Sequence, residues 1–187
     1  VKDVTVTRQK TSVNTVRYKK LSEDIGYILI RAFESTTADE VKEALDYFNN
    51  NNISKFVFDI RDNSGGLKYS VIDTLDMLVG EGVLMYEVDS DGNVLETSMS
   101  DTDCIKFESV TLVNSYTASA AELFAKCLSD YELTTIIGET TFGKGTVCTT
   151  YPLSNGGSVM ISTGKYLTKS KEDIEKVGIK PDIEMEL

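Results

Sequence analysis

Residues 55–66 read Lys55-Phe56-Val57-Phe58-Asp59-Ile60-Arg61-Asp62-Asn63-Ser64-Gly65-Gly66. An aromatic and β-branched run that ends in a polar turn with two glycines reads as a buried strand. Val71, Leu75, Leu78 and Val79 follow at helical spacing, so the strand feeds a helix. The same order recurs on both sides. Upstream, the apolar run 26–33 (GYILIRAF) precedes a helix entered at Thr37-Ala38-Asp39-Glu40, which has capping-box spacing. That helix carries Val41, Ala44, Leu45 and Phe48 on one face and stops at Asn49–Asn52. Downstream, Val110–Val113 is a core strand, Ala118–Leu128 an amphipathic helix, and Thr135–Gly138 a further strand. Strand-helix alternation of this kind predicts an α/β class. Gly82–Val88 and Val94–Ser98 flank Asp91-Gly92, a hairpin signal. Thr146–Tyr151, Val159–Tyr166 and Ile183–Leu187 complete the strands, and Val4 to Tyr18 reads as one or two more.

The chain has 187 residues, 41% of them hydrophobic and 26% charged, which fits one globular domain, or one with a short appendage. It contains no histidine. That excludes Ser-His-Asp and Cys-His catalysis and nearly every zinc site, because each needs an imidazole. A nucleophile here must be activated by lysine, a carboxylate or a terminal amine. Cys104, Cys127 and Cys148 are odd in number and lack CxxC spacing, so neither a disulfide framework nor a thiolate metal site is expected. The net charge of −11 argues against nucleic acid as a partner. Residues 1–20 carry +5, however, and the rest −16, so the composition breaks at Lys20. That break marks either a separate structural unit or a solvated basic edge strand. No apolar run is long enough to span a membrane. The chain begins at Val1 and not Met, so the absence of a leader carries no weight.

Three segments place glycines and small polar residues directly after buried strands, where backbone N–H groups can converge on a ligand. They are residues 59–66, 113–122 and 138–147. The third approaches a phosphate-binding loop, with Gly138, Gly143 and Lys144 in place. Gly145 then stands where a hydroxyl should hold Mg²⁺, and the continuation is strand-like instead of helical, so nucleotide binding is disfavoured. In the second segment Ser119 sits at a strand-to-helix junction. A serine there is most often an N-cap. Uncrowded neighbours (Ala118, Ala120, Ala121) and a free helix-terminal N–H on Ala120 raise a nucleophile to an equal alternative, and spacing alone does not decide between them. The Gly65-Gly66 turn offers further amides. Only a lysine can serve as the base, and Lys144, between two glycines, is the best placed.

Together these segments resemble the carboxyl-terminal processing peptidases, or tail-specific proteases. The resemblance rests on GYILIRAF (26–33), FDIRDNSGG (58–66), VNSYTASAAE (113–122), GETTFGKGTV (138–147) and GIKPDIEMEL (178–187), in the family's order. It implies a ClpP/crotonase-like α/β core with additional β hairpins. It also implies Ser119 as nucleophile, Lys144 as general base, and an oxyanion hole from Ala120 and a glycine of the Gly65/Gly66 pair. No metal or other cofactor is implied. The partner would be a protein or peptide with an exposed C-terminus; a homo-oligomer is left open. Residues 1–20 would be the exit strand of, or connector from, a preceding PDZ domain, with the catalytic core over 21–187. Family members work mainly outside the cytoplasm, and this fragment itself would make no membrane contact.

Cys148 departs from the family's pattern, which has glutamine four residues after the lysine. A thiol is a weaker partner for the amine than an amide oxygen. Two other readings therefore stand beside the peptidase: a silent peptide-binding or scaffold module on the same fold, and an acyl-CoA enzyme. The last lacks a basic cluster for the nucleotide. A lysine acting as base must also be neutral, and burial is what disfavours the ammonium form. Phe142 and the apolar start of the Ser119 helix are the candidates to keep it dry. Glu122 and Glu139 would oppose this if either paired with the amine, although Glu122, one turn from Ser119, is also a supporting residue of the site.

Overall fold

The computed structural model describes residues 4–7 and 13–186. Ten strands and three helices follow in the order β1 (Val16–Lys20), β2 (Ile25–Ile30), α1 (Thr37–Asn49), β3 (Lys55–Asp59), α2 (Lys68–Asp76), β4 (Gly82–Val88), β5 (Val94–Ser100), β6 (Glu108–Val113), α3 (Ala120–Asp130), β7 (Thr134–Gly138), β8 (Thr146–Pro152), β9 (Ser158–Leu167) and β10 (Ile183–Glu184). Six strands form one sheet in the order β1-β2-β3-β6-β7-β10. Only β1 runs antiparallel to its neighbour; the others pair in parallel. Parallel neighbours need crossovers; α1, α2 and α3 lie in the connections β2 to β3, β3 to β6 and β6 to β7, while β8 and β9 lie between β7 and β10. The remaining strands form an antiparallel sheet, β5-β4-β9-β8.

Alternate side chains explain the packing. Ile28, Ile30, Phe56, Phe58, Val113 and Ile136 point to one face and are buried with Val41, Phe48, Leu75 and Phe124 of the helices. Phe58 and Phe124 meet edge to face at 5.4 Å. Truncating either ring would cost about 3–5 kcal/mol. Gly26 is glycine because Phe48 lies on it; a Cβ there would stand 2.8 Å from the ring.

The expected elements are present, with local differences. Phe33 lies beyond β2 but still forms a bridge to Gly66. The capping box at Thr37 and Glu40 is not formed. The Glu40 carboxylate instead accepts the N–H groups of Thr15 and Val16, both at 2.8 Å, and so fixes the start of β1. Thr37 is buried, and its hydroxyl bonds to Thr15, Glu34 and Ala32. The strand expected over Val4–Tyr18 begins at Val16; residues 4–7 are exposed and irregular, while 8–12 lie outside the described residues. Of the basic opening segment, Val16–Lys20 is an edge strand, so the charge break at Lys20 falls in a turn between two paired strands. The strand expected over Ile183–Leu187 is confined to Ile183–Glu184, and Leu187 lies outside the described residues.

Candidate active site

The site forms where the chain leaves β3, β6 and β7 at one end of the parallel sheet. After β6, the Thr117 hydroxyl accepts the Asn114 N–H and donates to the Ile60 carbonyl, which folds the turn back on β3. The turn delivers Ser119 at φ 57° and ψ −121°. A non-glycine residue is strained there, and such strain persists only where the surroundings impose it. Ser119 and Glu122 form a capping-box arrangement, which leaves the hydroxyl able to donate its own proton.

Asn63, fully buried, holds the opposite wall. Its amide donates to the Ile30 carbonyl, its side-chain oxygen accepts the Gly65 N–H at 2.8 Å, and its carbonyl accepts the Ala118 N–H. Gly65 lies so close to the serine turn that a Cβ would stand 2.8 Å from Ser119 Cβ and 2.9 Å from the Ala120 nitrogen. Gly66 is pressed on Phe33, where a Cβ would stand 2.2 Å from its carbonyl oxygen. The Gly65 N–H is therefore spent on Asn63. The N–H groups of Gly66 and Ala120 have no acceptor among the described residues. Of the glycine pair, only Gly66 is left free to donate.

Glu122 joins this half to the lysine loop. It is fully buried, and its carboxylate accepts four hydrogen bonds: from Ser119 N (2.9 Å), Lys144 N (2.8 Å), Gly143 N (2.7 Å) and the Thr141 hydroxyl (2.5 Å). All four partners are donors, which suits an acceptor-only group and offsets the cost of burying it. The carboxylate thus meets the backbone of Lys144, and no carboxylate among the described residues forms an ion pair with its amine. Glu139 accepts the Ser115 N–H instead. Glu175 accepts the Gly145 N–H at 2.7 Å. The Ser-x-x-Glu spacing at 119–122 was the sequence signal for the Glu122 bond to Ser119; nothing local announced the bonds to residues 141–144.

Ser119, Ala120, Gly66, Lys144 and Cys148 line one cleft of about 380 Å³. Ser119 and Lys144 both line it, and no hydrogen bond joins their side chains; catalytic hydrogen bonds are often long before substrate is bound. The dry surroundings expected from Phe142 are absent: Lys144 is exposed and Phe142 is 64% exposed. The Phe142 N–H is tied to the Thr117 carbonyl, so its backbone serves to dock the two loops. Cys148 is exposed, with its sulfur 3.7 Å from the Ser162 hydroxyl. Leu67, Val71, Met85 and Leu123 give the cleft an apolar wall.

Beside the site, Arg61 grips Asp59 through two side-chain hydrogen bonds of 2.9 and 2.6 Å, and Tyr27 adds a third at 2.6 Å. Burial pushes the Asp59 carboxyl up, but these donors outweigh it and hold it below the usual carboxylate range. Burial and the adjacent Asp59 push the Tyr27 hydroxyl up to about 12. Among the described residues no cluster of His, Cys, Asp or Glu is arranged to hold a metal ion, and no helix is long and apolar enough to cross a membrane.

A strained serine beside two free amides, in a cleft that a lysine shares, can carry acyl-transfer chemistry. Residues 24–185 match the model of peptidase family S41, and the chain belongs to that family. It is 34% identical to carboxyl-terminal-processing peptidase 2, chloroplastic, of Arabidopsis thaliana, over 96% of this chain and 37% of that protein. Against the carboxy-terminal processing protease CtpA of Bacillus subtilis (strain 168) it is 34% identical, over 99% of this chain and 40% of that protein. Among solved structures, a photosystem II D1 C-terminal processing protease superposes with a TM-score of 0.86 at 33% identity, covering 96% of this chain and 50% of that one. The chain therefore spans about two-fifths of the length of these curated relatives.

Proposed function

We propose that this chain is the catalytic core of a serine endopeptidase that cleaves protein substrates near their C-termini. The observation that carries the reading is the strained Ser119 turn, with the free N–H groups of Gly66 and Ala120 and the amine of Lys144 in one cleft. Ser119 Oγ attacks the scissile carbonyl while neutral Lys144 takes its proton. The carbonyl oxygen gains negative charge and is stabilised by Gly66 and Ala120; losing one such donor lowers turnover by about 10²–10³. Lysine then protonates the leaving amine, and the acyl-serine is hydrolysed with lysine again as base. Bound peptide would supply the cover over Lys144 that Phe142 does not, since it would exclude water from the cleft.

The relatives' names, together with the motifs, support the preference for C-terminal substrates. The motif resemblance alone supports reading residues 1–20 as the exit strand of, or connector from, a PDZ domain, a module that captures peptide ends, and placing the protein's work outside the cytoplasm. Ser119→Ala should abolish both cleavage of a tail-exposed substrate and labelling by a fluorophosphonate, with the fold unchanged. Cleavage that survived this substitution would remove Ser119 from the mechanism.

Cys148 supports a second reading, a silent peptide-binding module, because its thiol is a weak partner for the amine. Cys148→Gln separates the two. On the peptidase reading the native chain labels, and the glutamine variant labels equally or several-fold faster. A native chain that does not label, beside a glutamine variant that does, identifies the silent form.

A further inference from the structure

The serine turn and the lysine loop are also joined from the second sheet. Tyr166, near the end of β9, is 5% exposed. Its hydroxyl lies 2.9 Å from the Ser119 carbonyl oxygen and 3.0 Å from the Lys144 carbonyl oxygen. Both partners are acceptors, so the hydroxyl shares its one proton between them. The Ser119 carbonyl also receives the N–H groups of Glu122 and Leu123. The Lys144 carbonyl has no other donor among the described residues, so the tyrosine is what holds it. Burial, then the charges of Glu122 and Glu175, push the Tyr166 hydroxyl up, which keeps it a donor throughout the range where a protein is stable.

The position of Tyr166 matters as much as its bonds. Glu122 fixes the Ser119 and Lys144 segments through their N–H groups, from α3. Tyr166 fixes the same two residues through their carbonyls, from β9. Each residue is thereby held on both sides of its Cα, through the N–H of the preceding peptide unit and the C=O of the following one. The Tyr166 N–H also donates to the Gly145 carbonyl, so one residue grips the lysine loop twice.

On the reading of the chain as a Ser-Lys peptidase, we propose that Tyr166 is a positioning residue: its hydroxyl sets the backbone of Lys144 relative to Ser119. Its ring lines the cleft, but its hydroxyl is bonded to two backbone carbonyls and to neither reacting side chain. Its loss should leave binding intact and slow acylation, because a displacement of about 1 Å between reacting groups costs on the order of 100-fold.

The test is Tyr166→Phe, which removes only the oxygen, with a thermal melt to confirm the fold. Fluorophosphonate labelling of Ser119 should slow by about 10- to 100-fold. Peptide affinity, measured with Ser119→Ala in both backgrounds, should not change. A double-mutant cycle supplies the readout that a merely structural tyrosine would not move. If Tyr166 acts through the lysine, Tyr166→Phe adds nothing to the residual labelling rate of Lys144→Ala. Equal labelling of the native chain and Tyr166→Phe overturns the tether and leaves the peptidase reading standing, as does a full additional loss in the Lys144→Ala background. A native chain that never labels removes the peptidase reading, and the tether with it.

Discussion

Residues 138–145 and residues 146–164 adjoin in the chain and are held by opposite means. In the first, Thr141, Gly143 and Lys144 are bound to Glu122, Gly145 is bound to Glu175, and the Gly143 carbonyl accepts the Lys176 N–H. Buried or half-buried carboxylates thus fix a loop that has no regular structure. The second stretch carries no charged side chain at all, in a chain that is 26% charged. It forms β8, a turn and most of β9, and from Cys148 to Ser162 every residue is exposed. Its anchorage to the rest is a short ladder of β4 with Lys165, Tyr166 and Leu167. The difference separates two jobs. On the proposed mechanism the loop places an amine, and each N–H from Thr141 to Gly145 is bonded; the ribbon forms an open wall of the cleft, where charge would discriminate among passing chains.

The largest effect should come from Glu122. Alanine there leaves four donors without an acceptor, two of them on Ser119 and Lys144, the proposed nucleophile and base. We expect a loss of about 3 kcal/mol or more in urea denaturation, since each orphaned buried group costs about 1–3 kcal/mol. Cleavage should fall with it. A stability change below about 1 kcal/mol would show that the loop is held by its own conformation and break the comparison. Next is Gly143→Ala. Gly143 has φ 84°, and a Cβ would lie 2.7 Å from the Gly178 nitrogen. Strain of this kind costs about 1–3 kcal/mol before the clash is relieved. A melt unchanged from the native chain would mean that the clasp is looser than its hydrogen bonds suggest.

These two positions also show what the sequence could reveal. Gly143 and Lys144 were legible because glycines beside a lone lysine, in a chain without histidine, leave few chemical options. The helices were legible because Val41, Ala44, Leu45 and Phe48 keep helical spacing. Glu122 was half legible: its spacing from Ser119 gives the reciprocal bond, but its bonds to Thr141, Gly143 and Lys144 depend on a contact between distant segments. Asn63 and Tyr166 were illegible in function for the same reason, since each acts through partners from separate elements. The expected dryness of Lys144 failed because Phe142 was read as a side chain, while the fold uses its N–H. Glu40 misled in the same way, its carboxylate being drawn to β1.

Acid should separate the carboxylate-held regions from the ribbon. Asp59 and Asp130 are both held below the usual carboxylate range. Burial pushes each up, and is outweighed by the donors around it: Arg61 and Tyr27 for Asp59, Thr168 and Ser170 for Asp130. A carboxyl whose folded value is depressed contributes fully above its unfolded value of about 3.9. That contribution is lost as pH falls through the lower folded value. Stability in urea should therefore hold near neutrality and drop steadily below about pH 4. In Arg61→Ala the Asp59 share of that drop should shrink. An acid limb unchanged in Arg61→Ala would place its origin elsewhere.

The smallest effect belongs to the ribbon. Ile161 is 49% exposed and stands opposite Thr149 in the β8–β9 ladder. Ile161→Thr keeps a β-branched side chain, so the strand's backbone preference is retained. Half of the side chain is already in water, which limits the apolar area that can be lost. Substitutions at such sites usually fall within about 0.5 kcal/mol, and we expect that in a urea titration of the isolated chain. Ser119 labelling should be unchanged as well, because residue 161 pairs with Thr149 and is not among the residues that line the cleft. Glu122→Ala tests a residue surrounded by partners, whereas this variant tests one that offers its surface outward. If Ile161→Thr cost as much as Gly143→Ala, the ribbon would be packed against something within the chain, and its exposed wall would not be free to meet a substrate.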